Sequence, residues 1–401
     1  MNATFSPPRR RPRGFTIVEL LAATAVFIGL MLLLVTATNQ TGDMWRRSSA
    51  KIEQFQQARR GFESMTRRLS QATLNTYFDY DYDTTEEGKP DRSKPPKGYK
   101  RQSELRFRSG QAATLIGSDA QILRPTHAVF FQAPLGFVDD DAGTGNAKAN
   151  HKPLNNLLNT WGYFLEVNDD SKLVPQFIKG TLPERVRSRL VEVMEPSEYL
   201  HMDNPSTDKD GNIFDKNYDD PRFLNWFRAP VTQGTHVRVL SENILALVIL
   251  PRLTQQDELA RAKLGKKGTL SPRYDYCSKR ISNTAEAIAN PSSASTNSDP
   301  DADLNPKNQL PPVITVSMVA IDEVSAQRMI ALSGADRTFG LEIDQLFLDS
   351  SKMEDDPASA EPGDGDLNKL EKALIEKKLT YRIFTSNVAI RGAKWSRGQK
   401  N

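Results

Sequence analysis

The sequence has a single cysteine, Cys277, and only four histidines, His127, His151, His201 and His236. One thiol excludes a disulfide framework. No histidine stands at metal-ligand spacing from another or from Cys277, which removes the common zinc patterns. Long apolar runs are also scarce. Hydrophobic residues make up 38% of the chain against 26% charged, a balance that excludes a multispan membrane protein. An excess of one charge is missing as well. The formal charge of +3 depends on Arg9, Arg10, Arg11 and Arg13, and without residues 1–14 the rest carries one net negative charge. Such a body offers no basic footprint, so no nucleic-acid partner is expected. Gly-x-Ser-x-Gly, phosphate-loop and His-Glu-x-x-His motifs are absent, and with them the usual nucleophile, nucleotide and zinc-hydrolase sites. Neither a catalytic residue nor a cofactor is expected.

Proline is missing between Pro12 and Pro90, so nothing there forces a break in a helix. The one long apolar run, Phe15 to Val35, lies inside that interval and holds a single charge, Glu19. As a helix it would be about 31 Å long, enough to cross a bilayer core of roughly 30 Å. The arginines before it place the N-terminus in the cytoplasm and the rest of the chain outside the inner membrane. The small residues Ala22, Ala23 and Ala25 fall within the run rather than after it, unlike the cleavage site of a secretory signal. A carboxylate within a membrane helix costs about 2.5–3.5 kcal/mol unless it reaches water or a partner. If the chain is cut after Gly14, Glu19 becomes the fifth residue behind a free amine. The carboxylate could then pair with the amine of a neighbouring copy and fix the axial register between subunits.

The stretch Arg13-Gly14-Phe15-Thr16-Ile17-Val18-Glu19-Leu20 resembles the processing site of the type IV pilin and type II secretion pseudopilin superfamily, with Ile17 where leucine is commoner. The resemblance implies cleavage by a prepilin peptidase between Gly14 and Phe15, N-methylation of Phe15, and a role for Glu19 in subunit assembly. Glycine at the cut offers no side chain to obstruct the approach to the backbone.

Past the membrane run, Phe55, Ala58, Phe62, Met65, Leu69 and Ala72 are spaced 3, 4, 3, 4, 3, a narrow helical seam. Arg59, Arg60, Glu63, Arg67 and Arg68 are assigned to the opposite, solvated face. Residues 79–103, rich in Asp, Tyr, Lys and Pro, read as loop. Strands are expected at Glu104–Arg108, His127–Phe131, Gly162–Glu166, Arg187–Met194, His236–Ile249, Val313–Ile321 and Thr380–Arg391. Helical spacing appears over 320–332 and 366–379. Neither face of Arg187–Met194 is cleanly apolar. Alternating carboxylates at Asp79–Asp83 and Asp299–Asp303 lack the glycine and glutamate that a calcium loop needs, and Asp208-Lys209-Asp210-Gly211 has Asn217 where the glutamate should be. No metal site is expected.

The segment Leu310–Val316, followed by a helix and then Tyr381–Arg391, is similar to the end of the minor pseudopilin J and pilus-assembly W group. Trp161–Phe164, Arg189–Glu192 and Asn387–Trp395 look closer to the Verru_Chthon cassette protein C family of pilin-like proteins.

The resulting expectation is an α+β, pilin-like chain. It has a leader (1–14), a transmembrane or filament-core helix half (15–35), an amphipathic helix half (36–78) and a periplasmic antiparallel β-sheet body (79–401). Long insertions are expected near 79–103, 139–153, 202–221, 282–312 and 349–366. The implied role is a non-catalytic minor pilin or pseudopilin subunit of a type IV pilus or type II secretion-like filament. It would be single-pass in the inner membrane or part of a periplasmic or extracellular filament. Its partners would be prepilin peptidase and other pilin-like subunits. The alternatives are a tip adhesin or DNA-uptake pilin that binds a ligand through its insertions, and a membrane-anchored periplasmic enzyme.

Overall fold

The computed structural model describes residues 16–83, 85, 90–118, 121–138, 156–169, 175, 177, 185–200, 221–264, 269–280, 282–283, 304–333, 337–353, 355 and 363–395. It divides into two units, residues 1–53 and 54–401. A 53-residue helix, α1 (Ile17–Leu69), supplies most of the first unit and the opening element of the second. The fold is mixed α+β, with antiparallel sheets after the long N-terminal helix.

In the apolar part of α1, hydroxyl side chains bond back to their own helix. Thr24 Oγ1 donates to the Leu21 carbonyl, Thr38 to Leu34 and Thr41 to Ala37, at 2.9, 2.7 and 2.8 Å. These polar groups are therefore satisfied without water.

In the second unit the seam is buried as its spacing predicts: Phe55, Ala58, Phe62, Met65 and Leu69 all lie in one core cluster. The amphipathic half was expected to reach residue 78, but α1 ends at Leu69. The Ala72 amide turns back to the Leu69 carbonyl at 3.1 Å, and Thr73 N–H donates to the Gln132 carbonyl at 2.9 Å. A β-branched and aromatic stretch with Asn75 at φ 45° then leaves the helix. The freed Ser70 carbonyl accepts from Arg391 N–H at 2.9 Å. Gly392 sits so close behind that a Cβ there would lie 2.9 Å from the Ala72 carbonyl oxygen.

The strands are β1 (Tyr77–Asp81), β2 (Gly98–Gln102), β3 (Phe107–Gln111), β4 (His127–Pro134), β5 (Leu158–Asp169), β6 (Val186–Glu195), β7 (Val237–Glu242), β8 (Ile244–Arg252), β9 (Tyr276–Cys277), β10 (Val313–Ile321) and β11 (Tyr381–Ala389). Between them lie α2 (Ala112–Leu115), α3 (Pro221–Gln233), α4 (Gln255–Lys263), α5 (Glu323–Ser333) and α6 (Asp366–Glu376). A six-stranded sheet runs β7-β6-β5-β4-β3-β9, a three-stranded sheet β11-β10-β8, and β1 pairs with β2 alone.

One core cluster joins the α1 seam to inner-face residues of both larger sheets, among them Phe131, Trp161, Leu190, Leu247 and Val316. A second lies under α5 and α6 against Val248, Val319 and Ile321. A third places Leu224, Trp226 and Phe227 of α3 on Phe130, Phe164 and Val193. Successive residues of β10, Val316 and Val319 among them, thus serve two cores, as period-two alternation in a strand buried on both faces requires.

Several expected elements need correction. The single run His236–Ile249 is two strands in different sheets. Asn243 takes φ 60° and donates its N–H to the Ser188 carbonyl at 2.7 Å. Asparagine tolerates this left-handed conformation, and the chain turns there from β7 into β8. The strand expected at Glu104–Arg108 lies three residues later, as β3. The segment 79–103 is expected as loop, yet its two ends pair as strands, Asp79 with Lys100 and Tyr80 with Tyr99. Alternating aromatic and polar residues supply a strand signal that the acids obscured. Helix α3 was not anticipated beside the expected 202–221 insertion. Nor was α4, although Thr254 caps it by accepting from Asp257 N–H at 3.2 Å.

Candidate functional site

The first candidate site is the start of α1. Thr16 N–H and Oγ1 each donate to Glu19 Oε2 at 3.0 Å, and Glu19 N–H donates to Thr16 Oγ1 at 3.3 Å. This reciprocal arrangement is a capping box, which satisfies two otherwise unpaired donors at the helix start. The Thr16-x-x-Glu19 spacing is the sequence signal for this local role, beside the charge that marks Glu19 in an apolar run. Glu19 is exposed, as are Ile17, Val18, Leu20, Leu21 and every described apolar side chain through Val35. The helix contains one stretch long and apolar enough to cross a membrane, and none of that stretch is buried within the protein. Gly14 and Phe15, the expected cleavage and methylation positions, lie outside the described residues.

The second candidate region is the six-stranded sheet, where charged side chains lie within the body. Arg68 was assigned to a solvated face but is instead an internal ligand for Glu192. Its guanidinium stacks 4.3 Å over the Trp161 ring and pairs with the fully buried Glu192 carboxylate. Glu192 also accepts from Tyr163 Oη at 2.8 Å and pairs with Arg238. Burial, reinforced by the Glu192 charge, pushes the Tyr163 phenol well above its ordinary range. Arg59 does lie on the exposed face, where it pairs with Glu63 at 2.7 Å. The mixed polarity of Arg187–Met194 has the same origin: Glu192 is buried and held by Arg68 and Tyr163, and Arg187 reaches Glu323 at 2.7 and 2.9 Å.

Asp275 is held by Arg108, at 3.0 Å through Nη2, and by Arg280. Burial opposes its ionisation, but the two guanidiniums hold the carboxyl below its usual range. His127 is fully buried. Its Nδ1 accepts from Ile249 N–H at 3.0 Å while Nε2 lies 3.0 Å from the Phe347 carbonyl. These contacts assign the neutral tautomer with hydrogen on Nε2. Burial pushes its pKa down to about 4, against smaller opposing effects of the Phe347 carbonyl and Asp275. Glu195 is buried with Oε2 unpartnered, and burial raises its pKa to about 7. His236, the other described histidine, stands at φ 55° just before β7.

A cleft of about 650 Å³ opens between the C-terminal end of α3 and strands β5, β6 and β7 of this sheet. Its apolar floor includes Phe164, Val191 and Val237, and Arg124, Glu166, Asn168 and Arg189 line it. Arg124 Nη2 bonds Glu166 at 3.2 Å, and Arg189 pairs with Asn168 and with Glu242. The arginines are thus engaged by acceptors, and no histidine or cysteine is among the lining residues. The Asp79–Asp83 cluster is matched to lysines: Lys97 Nζ lies 3.7 Å from Asp81 and 3.8 Å from Asp83. Among the described residues no group of three or more His, Cys, Asp or Glu is placed to hold a metal ion. The Asp299–Asp303 and Asp208–Gly211 clusters lie outside the described residues.

No protein-family model, characterised protein or solved structure matches this chain. The functional reading therefore rests on the geometry and on the N-terminal motif.

Proposed function

We propose that the chain is a non-catalytic minor pilin or pseudopilin, anchored in the inner membrane by α1 and inserted through that helix into a filament of related subunits. The observation that carries this reading is the order of parts along one helix. A basic segment ending in Gly14 precedes Phe15, and Glu19 is the fifth residue from there. Next comes an apolar stretch of spanning length with exposed side chains, and the same helix continues into a seam buried in its own body. A helix with this division of faces can exchange lipid for neighbouring helices without disturbing the fold of the body. Both environments have similar polarity, so the net drive is small, and a charge contact at Glu19 can decide where a subunit adds. The segments outside the regular elements suit a low-copy subunit, since a shaft subunit would need room for them at every repeat.

The test separates Glu19 as a local cap from Glu19 as a contact between subunits. Glu19→Gln keeps a side chain able to close the capping box but removes the charge. Thr16→Ala weakens the box and leaves the charge. Membrane insertion should survive both changes. Co-purification with other pilin-like chains should fall at least tenfold in Glu19→Gln and persist in Thr16→Ala. Equal association of Glu19→Gln and the wild type would refute the assembly role.

A second reading, a surface subunit that binds a ligand, is favoured by one feature of the body. The hairpin β1–β2 carries an exposed aromatic face.

A further inference from the structure

The hairpin separates its side chains by chemistry. In register, Phe78 faces Arg101 and Tyr80 faces Tyr99, while Asp79 faces Lys100 across the same two strands. Because strand residues alternate sides, Phe78, Tyr80, Tyr99 and Arg101 share one face, and Asp79, Asp81 and Lys100 share the other. The aromatic face is open: Phe78, Tyr80 and Tyr99 are 60%, 50% and 68% exposed. Tyr80, Tyr82 and Tyr99 form one group of rings, and Phe78 lies on the same face beneath Arg101. Tyr80 lies 5.4 Å from Tyr99 and 6.2 Å from Tyr82, and Arg101 sits 5.6 Å over Phe78. On the opposite face, Tyr77 Oη bonds Glu104 at 2.6 Å and anchors the hairpin at its foot. Isolated exposed aromatics are ordinary on protein surfaces, whereas a contiguous cluster with a polar rim marks a binding surface.

At the foot of this face lies a pocket of about 260 Å³ that shares Arg101 with it. Asn75, Thr76, Asn308, Gln309 and Lys394 also line it, and no carboxylate is among the lining residues. Among the described residues, the side chains of Asn75, Thr76 and Lys394 make no hydrogen bond or ion pair, and Lys394 is exposed. A primary amide, a hydroxyl and an ammonium are thus available beside a guanidinium. Asn308 is held in place by its Nδ2, which donates to the Arg101 carbonyl at 2.8 Å.

We infer that the aromatic face of the β1–β2 hairpin and the adjoining pocket bind an acidic carbohydrate chain. The rings take the C–H faces of successive sugars, and the pocket takes hydroxyls and one carboxylate. A sugar has an apolar face and a hydroxylated rim, which match a tyrosine ring beside amides and hydroxyls. The Lys394 ammonium, in a pocket with no carboxylate among its lining residues, favours a single acidic group. Single-stranded nucleic acid fits less well, because a phosphate at every nucleotide needs a basic track along the backbone. Here the ring face of the hairpin carries a single cation, Arg101, and the reverse face carries Asp79 and Asp81. This inference deepens the ligand-binding reading and does not depend on the membrane anchor.

The test is calorimetric titration of the full chain in detergent micelles with three probes: an oligogalacturonate, a neutral cellulose oligomer and a single-stranded DNA oligonucleotide. The oligogalacturonate should bind saturably and more tightly than the other two. Tyr80→Ala and Tyr99→Ala should each weaken it about fivefold, the scale of one aromatic stacking contact. Lys394→Gln should weaken it about tenfold while leaving the neutral oligomer's affinity unchanged. These side chains are exposed, so thermal unfolding of all three variants should match the wild type. Tighter binding of DNA would overturn the carbohydrate assignment and leave a ligand-binding surface standing. Saturable binding of none of the probes, or affinities indifferent to Tyr80 and Tyr99, would overturn both.

Discussion

Two buried titratable groups in the six-stranded sheet should give the protein opposing pH responses that nearly cancel. His127 is neutral in the fold, with its pKa pushed to about 4 from an ordinary 6.5. Between those values the unfolded chain binds a proton that the folded chain refuses, so acidification from pH 6.5 to 4 removes stability. The 2.5-unit displacement corresponds to about 3 kcal/mol. The structural cause is specific: a proton on Nδ1 would meet the Ile249 N–H that Nδ1 now accepts. Glu195 acts with the opposite sign. Its pKa is raised from 4.5 to about 7, so the folded chain holds a proton that the unfolded chain releases. Stability then falls as pH rises from 4.5 to 7, by about 2 kcal/mol once solvent screening is allowed for. The assay is urea unfolding of the full chain in micelles at half-unit steps from pH 7 to 4.5. With Glu195→Gln, the His127 loss is uncovered and stability should fall steadily on acidification. With His127→Gln, the slope should reverse and stability should rise. Comparing slopes within each variant removes the constant cost of the substitution. Parallel profiles for wild type and both variants would refute the argument.

Removing Arg68 leaves a fully buried carboxylate with Arg238 and Tyr163 alone. Arg68→Met should therefore lower unfolding stability by about 3 kcal/mol, whereas Arg59→Ala at the exposed Glu63 pair should change it by less than about 0.5 kcal/mol. Equal effects in the two would show that Arg68 is no more engaged than a surface arginine. Gly162 lies beneath Phe130, and a Cβ there would come within 2.3 Å of that ring. Phe130 cannot easily move, because it stacks on Phe227 at 3.9 Å. Gly162→Ala should accordingly cost about 2–3 kcal/mol, read as a lowered urea midpoint, and an unchanged midpoint would contradict the packing described.

The sequence reveals those elements whose pattern is local. The 3-4 spacing from Phe55 to Leu69 identifies the buried stripe of α1 because a helix returns to the same face at that interval. Val313–Ile321 coincides with β10 because a short run rich in β-branched and apolar residues, bounded by prolines and an acid, has few other uses. Features set by distant partners are not legible. Nothing near Arg68 in the chain indicates Glu192, 124 residues away, so a cation in a run of surface arginines reads as solvated. The corner at Asn243 is hidden because two strands of different sheets adjoin there with no proline or glycine between them. The hairpin β1–β2 is hidden because the intervening acids and lysines resemble a disordered segment, although the alternation of Tyr77, Phe78, Asp79, Tyr80 and Asp81 was available. At the candidate assembly site, Glu19 was singled out from its charge in an apolar run, while its bond to Thr16 needed only the Thr-x-x-Glu spacing.

The measurement that bears most directly on the central claim is the mass of the mature N-terminal peptide, purified from membranes of cells that contain a prepilin peptidase. The account predicts a chain beginning at Phe15 with one added methyl group on its amine. In Gly14→Val, where a branched side chain blocks the cut, the precursor should remain whole in the membrane because the apolar stretch of α1 is unchanged. A chain beginning after Ala23 or Ala25, or one retaining Met1 in the wild type, would contradict the account.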